Sequence, residues 1–144
     1  MTDWRAWHEG YDDPASALSL RLIAEAGLDR LEVACADAGE TSSYAGATPA
    51  DLLLLCGVFG NIDDDDIRTT VENAPALCAP GATVVWTRHR RAPDLTPAIR
   101  GWWADVGFEE VAFVSPGPAS PSVGVCRLSV EPLPFADRHL FTFC

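Results

Sequence analysis

A run of four leucines, Leu52 to Leu55, leads into Cys56-Gly57-Val58-Phe59-Gly60-Asn61, and this hexapeptide is the first place where the sequence could do chemistry. Its two glycines would let the backbone approach a ligand closely, with Phe59 lying against that ligand. A plain strand-to-helix turn asks for glycine too, so both readings stand. The second place is Thr87-Arg88-His89-Arg90-Arg91, four basic groups at one strand end. Their field would suit a substrate carboxylate or phosphate, with Arg88 and His89 orienting it; pairing of the arginines with neighbouring acids is the alternative. His89 could also act as a general base, although the sequence identifies no partner for it. Asp37 is the third. It could accept hydrogen bonds from an exocyclic amine or a ribose hydroxyl, or cap its own turn. Asp63 to Asp66 resemble a metal cluster, but four acids at a helix N-terminus complement the macrodipole without a cation, and no metal site is expected.

These residues need elements to hold them. Asp13-Pro14 reads as an N-cap and first helical position, opening a helix from Ala15 to Ala26 that stops at Gly27. Leu31 to Ala36 reads as a short buried strand. Leu52 to Cys56 reads as a strand buried on both faces, because its apolar run is continuous rather than alternating. Ile67, Val71, Ala74 and Cys78 share a helical stripe that Pro75 must break, and Pro80-Gly81 reads as a stop. Thr83 to Thr87 is β-branched and aromatic, hence another buried strand. Asp94 caps a helix whose inner face is Leu95, Ile99, Trp102, Trp103 and Val106, with Gly107 at its end. Val111 to Val114 and Val123 to Leu128 complete the strands, and the proline-rich loop between them is the expected mobile segment. Strands alternating with helices imply an α/β fold with a parallel sheet and antiparallel C-terminal strands. In such sheets ligands sit beyond the carboxyl ends of the strands, where the three segments fall.

Composition narrows the partners. The chain has 144 residues with 48% hydrophobic and 22% charged, which suits one folded domain rather than a disordered or fibrous chain. Its net charge of -11 repels nucleic acid and anionic membrane surfaces, leaving small molecules and proteins. All ten basic residues are arginine, so Schiff-base chemistry and a phosphate-binding P-loop lysine are excluded. No GxGxxG and no GxSxG is present. The five cysteines are odd in number and form no CxxC pair, so buried free thiols in a reducing cytosol are expected instead of zinc or disulfides. With no apolar leader and no run long enough to span a bilayer, the expected location is cytoplasmic.

Five segments carry a family resemblance: Trp7-His8-Glu9-Gly10-Tyr11-Asp12-Asp13-Pro14, Ala36-Asp37-Ala38-Gly39, Asp51 to Ile62, Cys78 to Arg91, and Asp94-Leu95-Thr96-Pro97. Over nearly its whole length the chain resembles class I S-adenosylmethionine-dependent methyltransferases of bacteria. That resemblance implies a reduced Rossmann-like methyltransferase sheet, with a lid segment and helix over residues 1–27 and an α/β domain over 28–144. It implies methyl transfer to a small molecule, with S-adenosylmethionine as cofactor; the Arg88–Arg91 field is what would make that substrate anionic. Asp37 and Ala38 would meet the adenine, Cys56, Gly57, Val58 and Phe59 would line the cofactor, and Tyr11 would belong to the lid.

The chain also departs from the family. The βαβ unit of at least ~30 residues that carries the glycine-rich loop and the ribose-binding acid has no counterpart between Leu22 and Leu28. Losing two charge-assisted hydrogen bonds of ~1.5–3 kcal/mol each would weaken the cofactor's hold by roughly two to four decades. A non-catalytic remnant serving as a binding or interaction module is the alternative function. The sheet must also close over the lost strands, either by pairing Leu31–Ala36 beside Leu52–Cys56 or by recruiting a second chain into a homo-oligomer.

Overall fold

The computed structural model describes residues 26, 27, 29–32, 34, 36–117 and 120–144. The expected helix from Ala15 to Ala26 lies almost wholly outside them, as do Tyr11, Cys35 and the centre of the proline-rich loop. The chain forms two compact units, Met1–Ala38 and Gly39–Cys144.

In the first unit the described residues form no helix or strand, and Leu31 is 54% exposed. The expected strand over Leu31–Ala36 is therefore corrected: Leu31, Glu32, Ala34 and Ala36 are all exposed. Glu32 supplies a physical reason, since an internal strand would bury its carboxylate without a partner.

The second unit is built on four strands, β1 (Ala50–Leu55), β2 (Cys78–His89), β3 (Phe108–Val114) and β4 (Pro121–Leu128). Helix α1 (Asp64–Asn73) connects β1 to β2, and helix α2 (Thr96–Asp105) connects β2 to β3. The sheet order is β1-β2-β4-β3, with β1 and β2 parallel and both pairings of β4 antiparallel. The α/β class, the parallel pair and the antiparallel C-terminal strands are thus as expected.

Local chemistry sets the helix limits. Asp63 caps α1 by accepting the Asp66 N–H at 2.8 Å, and Asp64 to Asp66 occupy the first turn, where the dipole favours acids. Pro75 lies in a separate 3-10 turn, Ala74–Ala76, as the broken stripe required. Asp94 acts just ahead of α2: its Oδ1 accepts the Thr96 N–H at 3.0 Å and the Thr96 hydroxyl at 2.7 Å.

Both helices pack on one face of the sheet. Cross-strand partners Leu53, Val84, Cys126 and Leu55, Trp86, Gly124, Phe113 line that face. There Trp86, Val84 and Cys126 are buried together with Ile67 and Val71 of α1 and Ile99 and Trp103 of α2. Trp103 meets Phe108 edge-on with ring centroids 4.9 Å apart, and Trp86 lies 5.9 Å from Phe113. A Cβ on Gly124 would come within 2.2 Å of the Trp86 indole, so only glycine lets the ring cross this strand.

The other face is Leu54, Val85, Val125 and Ala112, flanked by Leu52 and Val114. Leu52 and Leu54 are 53% and 58% exposed. Burial of β1 on both faces is therefore corrected to burial on one. The Pro80-Gly81 stop is corrected too. β2 runs through it as a bulge, with Ala50 opposite Cys78 but Leu52 opposite Thr83. Proline has no N–H to give the ladder and Gly81 takes φ +74°, so extra residues loop out there without ending the strand.

Past β4 the chain is irregular but anchored. Leu140 and Phe141 are buried, Thr41 N–H donates to the Arg138 carbonyl at 2.9 Å, and Leu140 N–H donates to the Gly39 carbonyl at 2.7 Å. Among the described residues no helix is long and apolar enough to cross a membrane. Cys78 and Cys126 are buried, which pushes their thiols up to about 11 and about 12, whereas Cys56 and Cys144 are exposed. The expectation of buried thiols thus fails for two of them, which lie at the end of β1 and in the irregular tail.

Candidate functional site

Because β1 and β2 run parallel, their carboxyl ends open to the same side. The structure brings together two of the three segments singled out in the sequence, Cys56–Asn61 after β1 and Thr87–Arg91 at the end of β2. Two hydrogen bonds join them. The Gly57 N–H donates to Thr87 Oγ1 at 3.0 Å, and the Arg88 guanidinium donates to the Phe59 carbonyl. At Gly60 a Cβ would sit 3.9 Å from His89 Cδ2.

The loop is shaped from within as well. Asn61 Nδ2 donates to the Gly57 carbonyl at 2.5 Å, and the Asn61 N–H donates to the Val58 carbonyl at 2.9 Å. Gly57 takes φ +77°, a conformation that favours glycine. Gly60 has no such φ and no close neighbour to avoid. What a missing side chain achieves at Gly60 is exposed, unobstructed backbone.

Phe59 turns inward. Its ring is 0% exposed and lies 6.1 Å from Trp86 and 6.4 Å from Trp103 by centroids. The ring expected to lie against a ligand is a core residue that pins the loop to the sheet. Cys56 and Gly57 are exposed and Val58 is half-buried, so what remains accessible is the loop's backbone and the Cys56 thiol.

The basic cluster is largely committed to neighbours. Besides Phe59, Arg88 reaches Asp64 at 3.7 Å, with only 10% of its side chain exposed and its Nε buried without a partner. Its own carbonyl accepts the Ser122 hydroxyl at 2.7 Å. Arg90 donates to Asp94 at 2.8 Å and to Ser115 at 3.2 Å. The Asp94 carboxyl, held chiefly by the Thr96 side chain and then by Arg90, is lowered to about 2. Arg91 alone of the three is exposed with no ion pair among the described residues. His89 is half-buried with Nδ1 unpartnered; burial first, then Arg88 and Arg91, hold its pKa below the ordinary imidazole value.

The third segment is divided between the units. Asp37 and Ala38 belong to the first unit, and Gly39 to the second. Tyr11 lies outside the described residues. Among the described residues no group of histidine, cysteine or acidic side chains could hold a metal ion.

One contributor gave no signal in the sequence. The tail returns to the site: Cys144 N–H donates to the Asn61 carbonyl at 3.0 Å, and Thr142 N–H donates to Asp66 Oδ2 at 2.8 Å. His139 joins Glu40 at 2.7 Å behind it. Its apolar residues give no distinguishing mark, since Leu140 and Phe141 are buried while Val130, Leu133 and Phe135 of the same tail are exposed.

No family model matches the chain, and neither a curated protein nor a solved structure matches it.

Proposed function

We propose that the chain is a reduced class I methyltransferase domain acting on a small, anionic molecule, with a weakened hold on S-adenosylmethionine. The observation that carries this reading is the junction of Cys56–Asn61, just past β1, with Thr87–Arg91 at the carboxyl end of β2, the side on which open α/β sheets take ligands. The bare backbone at Gly60 and the exposed Arg91 support it. So do the antiparallel C-terminal strands, as the Rossmann-like resemblance implies.

The residues fit the cofactor only in part. Cys56, Gly57 and Val58 offer an accessible backbone, but the ring of Phe59 is inside the core. Nothing in the sequence replaces the glycine-rich loop for the methionine end. No methyl-transfer step follows from a cradle in that state. A second reading, a non-catalytic binding module, is favoured by the internal commitment of Arg88 to Phe59 and Asp64.

Titration calorimetry with S-adenosylmethionine and S-adenosylhomocysteine tests both. Binding at high micromolar to millimolar Kd that weakens when Gly60 is changed to Val supports the first reading. Silence at millimolar ligand ends it and leaves the second.

A further inference from the structure

The two edges of the sheet are built differently. At the β3 edge a bulge between Glu110 and Ala112 interrupts the ladder, and Glu109 and Glu110 are exposed acids. Bulges and charges are how proteins discourage a free edge from pairing. The β1 edge has neither over Leu52–Leu55, and among the described residues no strand pairs with its far side. Leu52 and Leu54, more than half exposed, flank that edge on the face the helices leave open. A strand apolar on both faces and unprotected along its edge has the composition of an internal strand.

We infer that a second copy of this chain completes the sheet, its β1 pairing antiparallel with β1 across a two-fold axis through Leu53. The sequence of the strand is self-complementary in that register. Leu52 stands opposite Leu54 of the partner subunit, and Leu54 opposite its Leu52, which continues the apolar band of Leu54, Val85 and Val125 into one surface. Charge selects the antiparallel direction. Parallel pairing would set Asp51 beside Asp51 of the partner subunit. Antiparallel pairing carries the partner's Asp51 to the Leu55 end of β1, the end of the sheet that holds Arg88 to Arg91, and Arg91 has no ion pair among the described residues. The same register brings Pro49 of the partner subunit alongside Gly57, so the second copy walls the open side of the site. This inference stands apart from the methyltransferase reading, because it rests on the sheet edge and its test reads mass.

The test is sedimentation velocity of the full chain at about 100 μM, a concentration at which even a micromolar dimer is populated. Physiological salt and a thiol reductant exclude cross-linking through Cys56 or Cys144. A species of twice the 15.5 kDa chain mass is expected. Leu54→Lys and, independently, Leu52→Lys should weaken association by ~100-fold or more, since each places two charges in the pairing zone, while far-ultraviolet circular dichroism stays unchanged. Val114→Lys, equally exposed but on the β3 edge, should leave the dimer intact. A monomer at that concentration overturns the inference, and so does a dimer that Val114→Lys disrupts as readily as Leu54→Lys.

Discussion

The two faces of the sheet carry nearly the same kind of side chain and have different fates. On the covered face Trp86, Val84 and Cys126 are sealed beneath α1 and α2, with Phe59 and Trp103 filling the space between. On the open face Leu54 and Val114 are both 58% exposed. Hydrophobicity along a strand therefore records what a face is suited to meet, and the helices decide which face meets it within one chain.

Four measurements would break or sharpen that contrast. Trp86→Ala should cost the most, about 3–5 kcal/mol in denaturant unfolding, because it empties the centre of the covered face. Next is Gly124→Ala, whose methyl collides with the Trp86 indole; a loss of about 1–3 kcal/mol is expected from the same measurement.

Stability against pH should then show two separate declines. His89 has a folded pKa below its ordinary 6.5, so its contribution is complete above that value and is lost as acid protonates the ring; His89→Gln should flatten this part of the profile. The Asp94 carboxyl is lowered from 3.8 to about 2, so its contribution is complete above about 4 and disappears as pH falls towards 2; Asp94→Asn should remove that decline only. The smallest effect belongs to the open face. Val114→Thr, at a position 58% exposed, should change unfolding by no more than about 0.5 kcal/mol. If it costs as much as Trp86→Ala, the division between the faces is wrong.

Much of the architecture was legible because it rests on local signals. The acidic first turn of α1, the Asp94 turn just ahead of α2, the Pro75 break and the β-branched run of β2 are each written in a few adjacent residues. The pairing of the two site segments followed from a general rule about parallel strands. What failed depended on distant partners. Leu52 to Leu55 is equally apolar at every position, so its pattern could not say that only one face would be covered. Phe59 looked like a ligand platform because nothing nearby in sequence announces that Trp86 and Trp103 enclose it. Pro80-Gly81 reads as a stop in isolation and becomes a bulge once β1 is there to be paired. The tail contacts to Asn61 and Asp66 span 83 and 76 positions, beyond any periodicity.

The inward turn of Phe59 has a consequence for the speed of events at the loop. Lifting Cys56–Asn61 away from β2 means withdrawing an aromatic ring from between two indoles, so the loop opens on the timescale of the core and not of the surface. The Gly57 and Asn61 amides, bonded to Thr87 Oγ1 and to the Val58 carbonyl, are therefore expected to exchange their hydrogens slowly for groups so near solvent. A ligand arriving there meets a frame already set, and little of its binding free energy goes into ordering the backbone that receives it.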